Sequence, residues 1–230
     1  MSVQQIPGAI LLAEKRAQTQ TDQYRSRQFF PAGNHAVPAG SLVRFDEDTL
    51  AGGAVVIIGA AAGFDTLLIP LVGGVHFKTD QHSHYIEAGS SLLYRAAENA
   101  AFSVTNPFQQ ELVNFLHIRI KGGPSPLQPA GVFVTDFNLE QAPNRLLRVS
   151  GSRDLTPWNA WIGKFGGREE AVYRLSQTNP GIFAFAVDGA FEVQNRLVHP
   201  RDGLLLWQLD ELELEALSDQ AVILILEIPL

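Results

Sequence analysis

The fold of this chain is indicated by two stretches of sequence with the same design. Residues 67–75 are LLIPLVGGV and residues 182–190 are IFAFAVDGA, so each is an apolar run that ends in a glycine-containing turn signal. A polar segment follows each of them. Each copy then continues through a second glycine into another hydrophobic run, EAGSSLLY at residues 87–94 and PRDGLLLW at residues 200–207.

The spacing of the two copies indicates that a whole domain has been duplicated. Gly74 and Gly189 lie half a chain length apart. A repeat this long with only two copies is typical of a duplicated domain, whereas a solenoid is built from many short repeats. Both copies also end alike, with an alternating stretch, a polar turn and a final apolar run, at residues 102–120 and 212–229.

Each copy has the pattern of short β-strands. The Gly73-Gly74 and Asp188-Gly189 dipeptides predict two-residue hairpin turns, because a type I′ turn needs a positive φ at both central residues. Residues 212–215, LELE, alternate like a strand with one solvated face. We therefore expect an all-β chain of two tandem barrels. The predicted domains are residues 1–122, a proline-rich connector at 123–131, and residues 132–230.

The composition restricts the classes of function. The chain has 230 residues, 46% of them hydrophobic and 18% charged, which is enough to bury a sizeable core. Its net charge of −7 provides no basic field for a nucleic-acid partner. The absence of cysteine rules out disulfides and thiolate metal sites. Neither a secretory signal nor an apolar run of the ~20 residues that span a bilayer is visible, so we expect a cytoplasmic protein without a membrane partner.

The order of these motifs resembles that of the pirin-like bicupins, a family that includes bacterial quercetin dioxygenases. The segment EAG at residues 87–89 stands where the family has Pro-Ala-Gly, and Asn106 stands where its second motif closes. Asp202-Gly203-Leu204 followed by Trp207 resembles the pattern of the second barrel. The resemblance implies two tandem cupin barrels of the jelly-roll type.

The resemblance also implies a metal site in the first barrel, at positions where this sequence is apolar. The family binds an iron-like metal through a His-x-His pair and a later His-x-Glu. These positions fall on Ala60, Ala62, Phe102 and Val104. Apolar residues avoid the cost of burying a polar cluster that no metal neutralises. We therefore expect no cofactor and no dioxygenase activity, and predict a metal-free cupin that binds an unknown small molecule or protein.

The alternative is a quercetinase-type dioxygenase that holds iron or another divalent metal through relocated ligands. The candidates are His76, His82, His84 and His117. His82 and His84 have the i, i+2 spacing that places two side chains on one face of a strand, but they lie in a polar connection predicted to be a surface hairpin. His76 and His117 fall in strand-like segments, where a hydrogen-bonded barrel histidine is the expected role.

Two further groups of residues are predicted to be structural. The acidic run Asp46-Glu47-Asp48 has the pattern of a solvated turn in a loop. Trp158 and Trp161 flank the start of the second barrel, where we expect packing in the core or between the domains.

Overall fold

The computed structural model describes residues 6–31, 39–122, 129–150, 156–176 and 180–230. Within these ranges the regular structure is β-strand apart from one 3₁₀ turn, Ala13–Lys15, and no helix has the length and apolar character needed to cross a bilayer. The first strands are β1 (Gly8–Leu11), β2 (Ala17–Gln20), β3 (Tyr24–Gln28), β4 (Leu42–Leu50), β5 (Val55–Ala60), β6 (Phe64–Val72), β7 (Gly74–Lys78), β8 (Ser83–Glu87), β9 (Ser90–Arg95), β10 (Ala100–Thr105), β11 (Val113–Lys121) and β12 (Gly131–Asp136). The remaining strands are β13 (Arg145–Arg148), β14 (Asn159–Phe165), β15 (Glu170–Arg174), β16 (Pro180–Asp188), β17 (Phe191–Val193), β18 (Arg196–Val198), β19 (Gly203–Trp207), β20 (Glu211–Ala216) and β21 (Ala221–Pro229).

These strands form two barrels, each built from a larger and a smaller sheet. The first barrel combines the strand order β12-β9-β6-β11-β4-β3-β2 with β5-β10-β7-β8. The second combines β1-β19-β16-β21-β14-β13 with β15-β20-β17-β18. The last long strand of each barrel has the equivalent place in its larger sheet. Strand β11 lies between β4 and β6, and β21 lies between β14 and β16. The predicted all-β architecture of two similar barrels is therefore confirmed.

Each barrel includes one strand from the part of the sequence that otherwise forms the other barrel. Strand β1 pairs with β19 in the second barrel, where Gly8 lies opposite Leu206. Strand β12 pairs with β9 in the first barrel, where Gly131 lies opposite Arg95. Strands β1 and β12 therefore pair across the predicted bounds at residues 122 and 132, and residues 123–128 of the predicted connector lie outside the described residues. The exchange ties each barrel to the other, because neither larger sheet is complete without its borrowed strand.

The two larger sheets pack against each other through a continuous apolar core. Residues alternate between the faces of a strand, so every second residue of β4, β6 and β11 faces the second barrel. The ring centroids of Phe45 and Phe183 lie 4.8 Å apart, as do those of Phe45 and Phe185. Trp158 is fully buried in the same core. The prediction that this tryptophan packs in the core or between the domains is thus confirmed.

A buried ion pair of the first barrel is linked to the second barrel by a hydrogen bond. The Arg95 guanidinium donates through Nε to Asp65 Oδ1 at 2.6 Å and through Nη2 to Asp65 Oδ2 at 2.8 Å. The indole Nε1 of Trp158, which belongs to the second barrel, donates to Asp65 Oδ2 at 2.8 Å. Asp65 is 1% exposed, so its charge depends on these partners.

The hairpin turns predicted at Gly73-Gly74 and Asp188-Gly189 are wrong. Gly73 and Gly189 do have positive φ values, 71° and 68°. However, β6 and β7 lie in different sheets, and so do β16 and β17. A positive φ lets the chain turn sharply, but pairing depends on where the next strand is placed. Both dipeptides therefore form corners at which the chain passes from the larger to the smaller sheet of its barrel.

Candidate functional site

The interior of the first barrel contains three of the four predicted former metal positions. Phe102 and Val104 are 1% and 0% exposed and lie two residues apart on β10, so they share its inner face. Ala60 ends the neighbouring strand β5 and is 6% exposed. None of these side chains has a lone pair that could bind a metal. The residues present at these positions therefore do not fit the metal that the family resemblance implies.

The fourth position, Ala62, does not join the other three. It lies in the turn after β5 and is exposed, and its backbone N–H donates to Asn99 Oδ1 at 3.2 Å. On β5 the two buried residues with i, i+2 spacing near the strand end are Ile58 and Ala60. Ile58 lies directly opposite Phe102 on β10. The structure therefore groups Ala60 and Phe102 with Ile58 rather than with Ala62.

Aromatic rings surround Phe102. Its centroid lies 5.1 Å from that of Phe77, 5.7 Å from that of Tyr94 and 6.3 Å from that of His117. The Tyr94 and His117 rings meet Phe102 edge to face, an arrangement that aromatic pairs favour. The centre of the first barrel is thus packed with rings.

The four histidines of the alternative hypothesis occupy three separate places. His76 is exposed on the outer face of β7, against the ring of Tyr85 at 5.1 Å. His82 and His84 are half-buried beside each other, with ring centroids 6.2 Å apart, and His84 lies opposite Phe77. His117 is fully buried on β11. Among the described residues, no group of three or more metal-binding side chains is close enough to hold an ion.

A buried polar wall lies beside the aromatic centre, and sequence reasoning missed it. We define it as the inward-facing polar side chains of β3, β4 and β11, namely Tyr24, Arg44, Asp46, Asp48, His117 and Arg119. Asp46 and Asp48 are 1% and 0% exposed within strand β4. The prediction of a solvated loop turn for the run from Asp46 to Asp48 is therefore wrong, since the partners of these carboxylates come from strands far away in sequence.

Asp48 and His117 form the centre of the polar wall. Tyr24 Oη donates to Asp48 Oδ1 at 2.9 Å, and burial raises the pKa of Tyr24, so it stays a protonated donor. His117 Nδ1 lies 3.7 Å from Asp48 Oδ2, an electrostatic contact too long for a hydrogen bond. Arg44 Nη1 lies 3.3 Å from the same His117 Nδ1. Since a guanidinium can only donate, this contact assigns Nδ1 as acceptor and places the His117 proton on Nε2.

Burial changes the ionisation of two groups in the wall. It lowers the pKa of His117 below the ordinary 6.5, an effect larger than the opposing attraction of Asp48, so the ring is neutral at pH 7. Burial also raises the pKa of Asp46 to about 7, although Arg44 and Gln28 act in the opposite direction. Asp46 Oδ2 lies 3.2 Å from Arg44 Nε and 3.3 Å from Gln28 Nε2.

Three buried polar atoms of the wall lack a hydrogen-bond partner within the described part of the chain. They are Asp48 Oδ2, His117 Nε2 and Arg119 Nε. A different nitrogen of the Arg119 guanidinium, Nη2, does have a partner, because it donates to the carbonyl of Gly59 on β5. An unsatisfied buried polar atom costs about 1–3 kcal/mol, so these three atoms leave hydrogen-bonding capacity for a water molecule or a ligand.

Asp46 and His117 are expected to give the free energy of unfolding opposite pH dependences. The folded-state pKa of Asp46, about 7, exceeds its ordinary value of 3.8, so the folded state binds the extra proton and stability falls as pH rises from about 4 to 7. The lowered pKa of His117 means that the unfolded chain protonates first, so stability falls as pH drops below about 6.5. The charged groups facing both residues are Arg44, Asp48 and Arg119.

Urea unfolding at several pH values tests this expectation through differences from the wild type. Asp46→Asn removes the penalty of the charged carboxylate, so its stability relative to the wild type should rise as pH increases through 4–7. His117→Gln removes the opposite term, so its relative stability should fall as pH increases toward about 6.5. Parallel pH profiles for the wild type and both variants would contradict the ionisation states assigned to the wall.

A surface pocket of about 350 Å³ lies on the other side of Tyr94. Its lining includes Asp80, His82, Tyr94, Arg95 and Glu98. Tyr94 also contacts Phe102 and Phe77, so this ring is shared by the pocket and the aromatic centre. The pocket is polar and brings His82 near two carboxylates and a guanidinium.

Comparisons with known proteins agree with this architecture. Residues 158–228 match the family model described as the quercetinase C-terminal cupin domain. No curated protein sequence matches the chain. The crystal structure of YhhW from Escherichia coli superposes with a TM-score of 0.84 at 18% identity, covering 97% of this chain and 98% of YhhW. The nickel(II) complex of the same bacterial pirin also gives a TM-score of 0.84, at 16% identity and over 97% and 99% of the two chains.

A quercetin 2,3-dioxygenase from Acinetobacter baumannii is similar as well. It superposes with a TM-score of 0.76 at 13% identity, covering 96% of this chain and 85% of the dioxygenase. Identities this low show a shared fold and leave the chemistry open. The two-barrel fold extends over nearly the whole chain, and the second barrel matches a quercetinase cupin domain in sequence. The chain therefore has the two-barrel fold of these structures, and its residues 158–228 match the quercetinase C-terminal cupin domain.

Proposed function

We propose that this protein is a metal-free pirin-like cupin whose first barrel binds a small molecule and that it has no dioxygenase activity. One observation carries the proposal: Ala60, Phe102 and Val104 occupy the inner face where the family resemblance implies metal ligands. The Phe102 ring packs among Phe77, Tyr94 and His117 in the space beside β10. Burying one such side chain stabilises the fold by roughly 1.5–3 kcal/mol.

The physical chemistry of the interior favours this assignment. Buried His and Glu side chains without a metal would be desolvated polar groups, which are costly in an apolar barrel. Apolar residues at the same positions add packing energy. The neighbouring polar wall nevertheless keeps unpaired donors and an acceptor, a combination that suits recognition of a small polar molecule better than a purely structural core does.

The competing function is a quercetinase-type dioxygenase with relocated ligands. His82 and His84 are the specific reason to test it, because they lie side by side and His82 lines the surface pocket that contains Asp80 and Glu98. His76 and His117 lie on the outer face and in the interior, away from this pair. An iron-type oxygenase site needs three or more protein ligands with open positions.

Elemental analysis distinguishes the two functions. Untagged protein is purified without chelators after supplementation with iron, manganese, nickel, copper and zinc, and its metal content is measured by mass spectrometry. YhhW, which has been crystallised with nickel(II), is handled in parallel as the positive control. We expect metal far below one equivalent per chain and no oxygen uptake with quercetin. Near-stoichiometric metal that is lost in a His82→Ala, His84→Ala variant, together with quercetin oxygenation, would overturn the proposal.

A further inference from the structure

The polar wall contains two guanidinium groups and two carboxylates, so its charge is balanced only while Asp46 is ionised. Arg44 and Arg119 both face the interior, and burial lowers the pKa of Arg119, to which the repulsion of Arg44 adds. Asp48 accepts a hydrogen bond from the hydroxyl group of Tyr24. Asp46 pairs with Arg44 at 3.2 Å, but burial favours its protonated form. When Asp46 is protonated, one guanidinium has no counter-charge within the wall.

Two of the three unpaired atoms of the wall are donors that an anionic ligand could satisfy, and the third, Asp48 Oδ2, is an acceptor on the carboxylate that Tyr24 contacts. His117 Nε2 carries a proton in the tautomer that the Arg44 contact assigns, and Arg119 Nε is always a donor. Both are buried, and neither has an acceptor within the described chain. The Arg44 side chain is 35% exposed, so the wall reaches solvent at the side of the barrel where β4 begins.

We propose that Arg44, His117 and Arg119 bind a small carboxylate ligand in the first barrel. The proposal rests on the proposed function, because it names the class of molecule that the metal-free barrel binds. A carboxylate has the two acceptor oxygens that guanidinium and imidazole donors can share, and such charge-assisted hydrogen bonds are the strong ones. The fully buried Phe102 ring beside His117 restricts the ligand to one with a short apolar body.

Binding should be coupled to the uptake of a proton. An incoming carboxylate and an ionised Asp46 would compete for the same guanidinium groups, so the ligand favours the protonated form of Asp46. By linkage, binding then tightens as pH falls through about 7. The groups that face Asp46 are Arg44 and Asp48 on its own strand, Gln28 on β3, and His117 and Arg119 on β11.

Calorimetry with propionate as the probe tests the proposal on the full chain. We expect saturable binding at pH 6 that weakens by pH 8 and is absent for propionamide, the neutral isostere. Titrations in two buffers with different ionisation enthalpies should show proton uptake at the higher pH. Arg119→Gln should weaken propionate binding about tenfold, the loss expected for one charge-assisted hydrogen bond. Arg44→Gln provides a second variant if Arg119→Gln does not fold.

The matched control is Arg168→Gln, which removes a surface arginine of the second barrel whose side chain is 78% exposed. This variant should bind propionate like the wild type. Absence of saturable binding, equal binding of propionamide, or unchanged affinity in both Arg119→Gln and Arg44→Gln would overturn the carboxylate site. None of these outcomes alters the metal content, so failure here is distinguishable from failure of the proposed function.

Discussion

Replacing Asp65 with alanine is expected to lower the free energy of unfolding by about 3–5 kcal/mol, the usual cost of removing one partner of a buried ion pair. The substitution leaves the Arg95 guanidinium, whose side chain is 10% exposed, without the carboxylate that accepts two of its hydrogen bonds. It also removes the acceptor of the Trp158 indole N–H. Because Trp158 belongs to the second barrel, both barrels should lose stability together.

Urea-induced unfolding followed by tryptophan fluorescence and by circular dichroism measures this effect. Glu140→Gln is the matched control, because it removes the carboxylate of an ion pair with Lys164 in which Glu140 is 75% exposed. An exposed pair of this kind contributes less than about 1 kcal/mol. If Asp65→Ala costs no more than Glu140→Gln, the Asp65–Arg95–Trp158 contact does not hold the barrels together.

Truncating Phe102 to alanine is the second change with a large expected effect. We expect a loss of about 3–5 kcal/mol, because the ring is fully buried and its removal leaves a cavity among Phe77, Tyr94 and His117. A ring that only lined an open pocket would cost much less when truncated. The experiment therefore tests whether the centre of the first barrel is a packed core at the position of the implied metal.

Ile57→Ala controls for the removal of a large apolar side chain from the same sheet. Ile57 lies on β5 with 76% of its surface exposed, so its truncation should change stability by less than about 0.5 kcal/mol. A small aromatic molecule such as benzene should bind the cavity of Phe102→Ala and restore part of the lost stability, as apolar cavities do. Equal losses for Phe102→Ala and Ile57→Ala would contradict a packed centre.

The placement of the candidate site was only partly predictable. Phe102 and Val104 lie in a strand whose spacing to Asn106 is fixed by local sequence, and both prove to be buried on its inner face. Ala62 has the sequence spacing of a second site residue beside Ala60, but the turn after β5 puts it on the surface. A count along the chain holds within one strand, but it fails across a turn, because turn geometry decides which face the next residue occupies.

The burial of the polar wall could not be predicted from local sequence. Asp46 and Asp48 have the local pattern of a solvated acidic run, and neither the charge nor the spacing distinguishes a buried carboxylate from an exposed one. Their burial depends on partners such as His117, whose contact with Arg44 spans 73 residues of sequence. Only pairing of β4 with β11 brings these groups together.

The sequence by itself determined that this chain is all-β and that it is built from two similar barrels. Those properties follow from alternation, glycine placement and residue type, which are local. The tertiary structure alone decided that Gly73 and Gly189 form corners between sheets, that β1 and β12 exchange barrels, and that Trp158 reaches Asp65 across 93 residues. A period of two identifies the buried face of a strand, but the choice of partner strand is made by packing between segments distant in sequence.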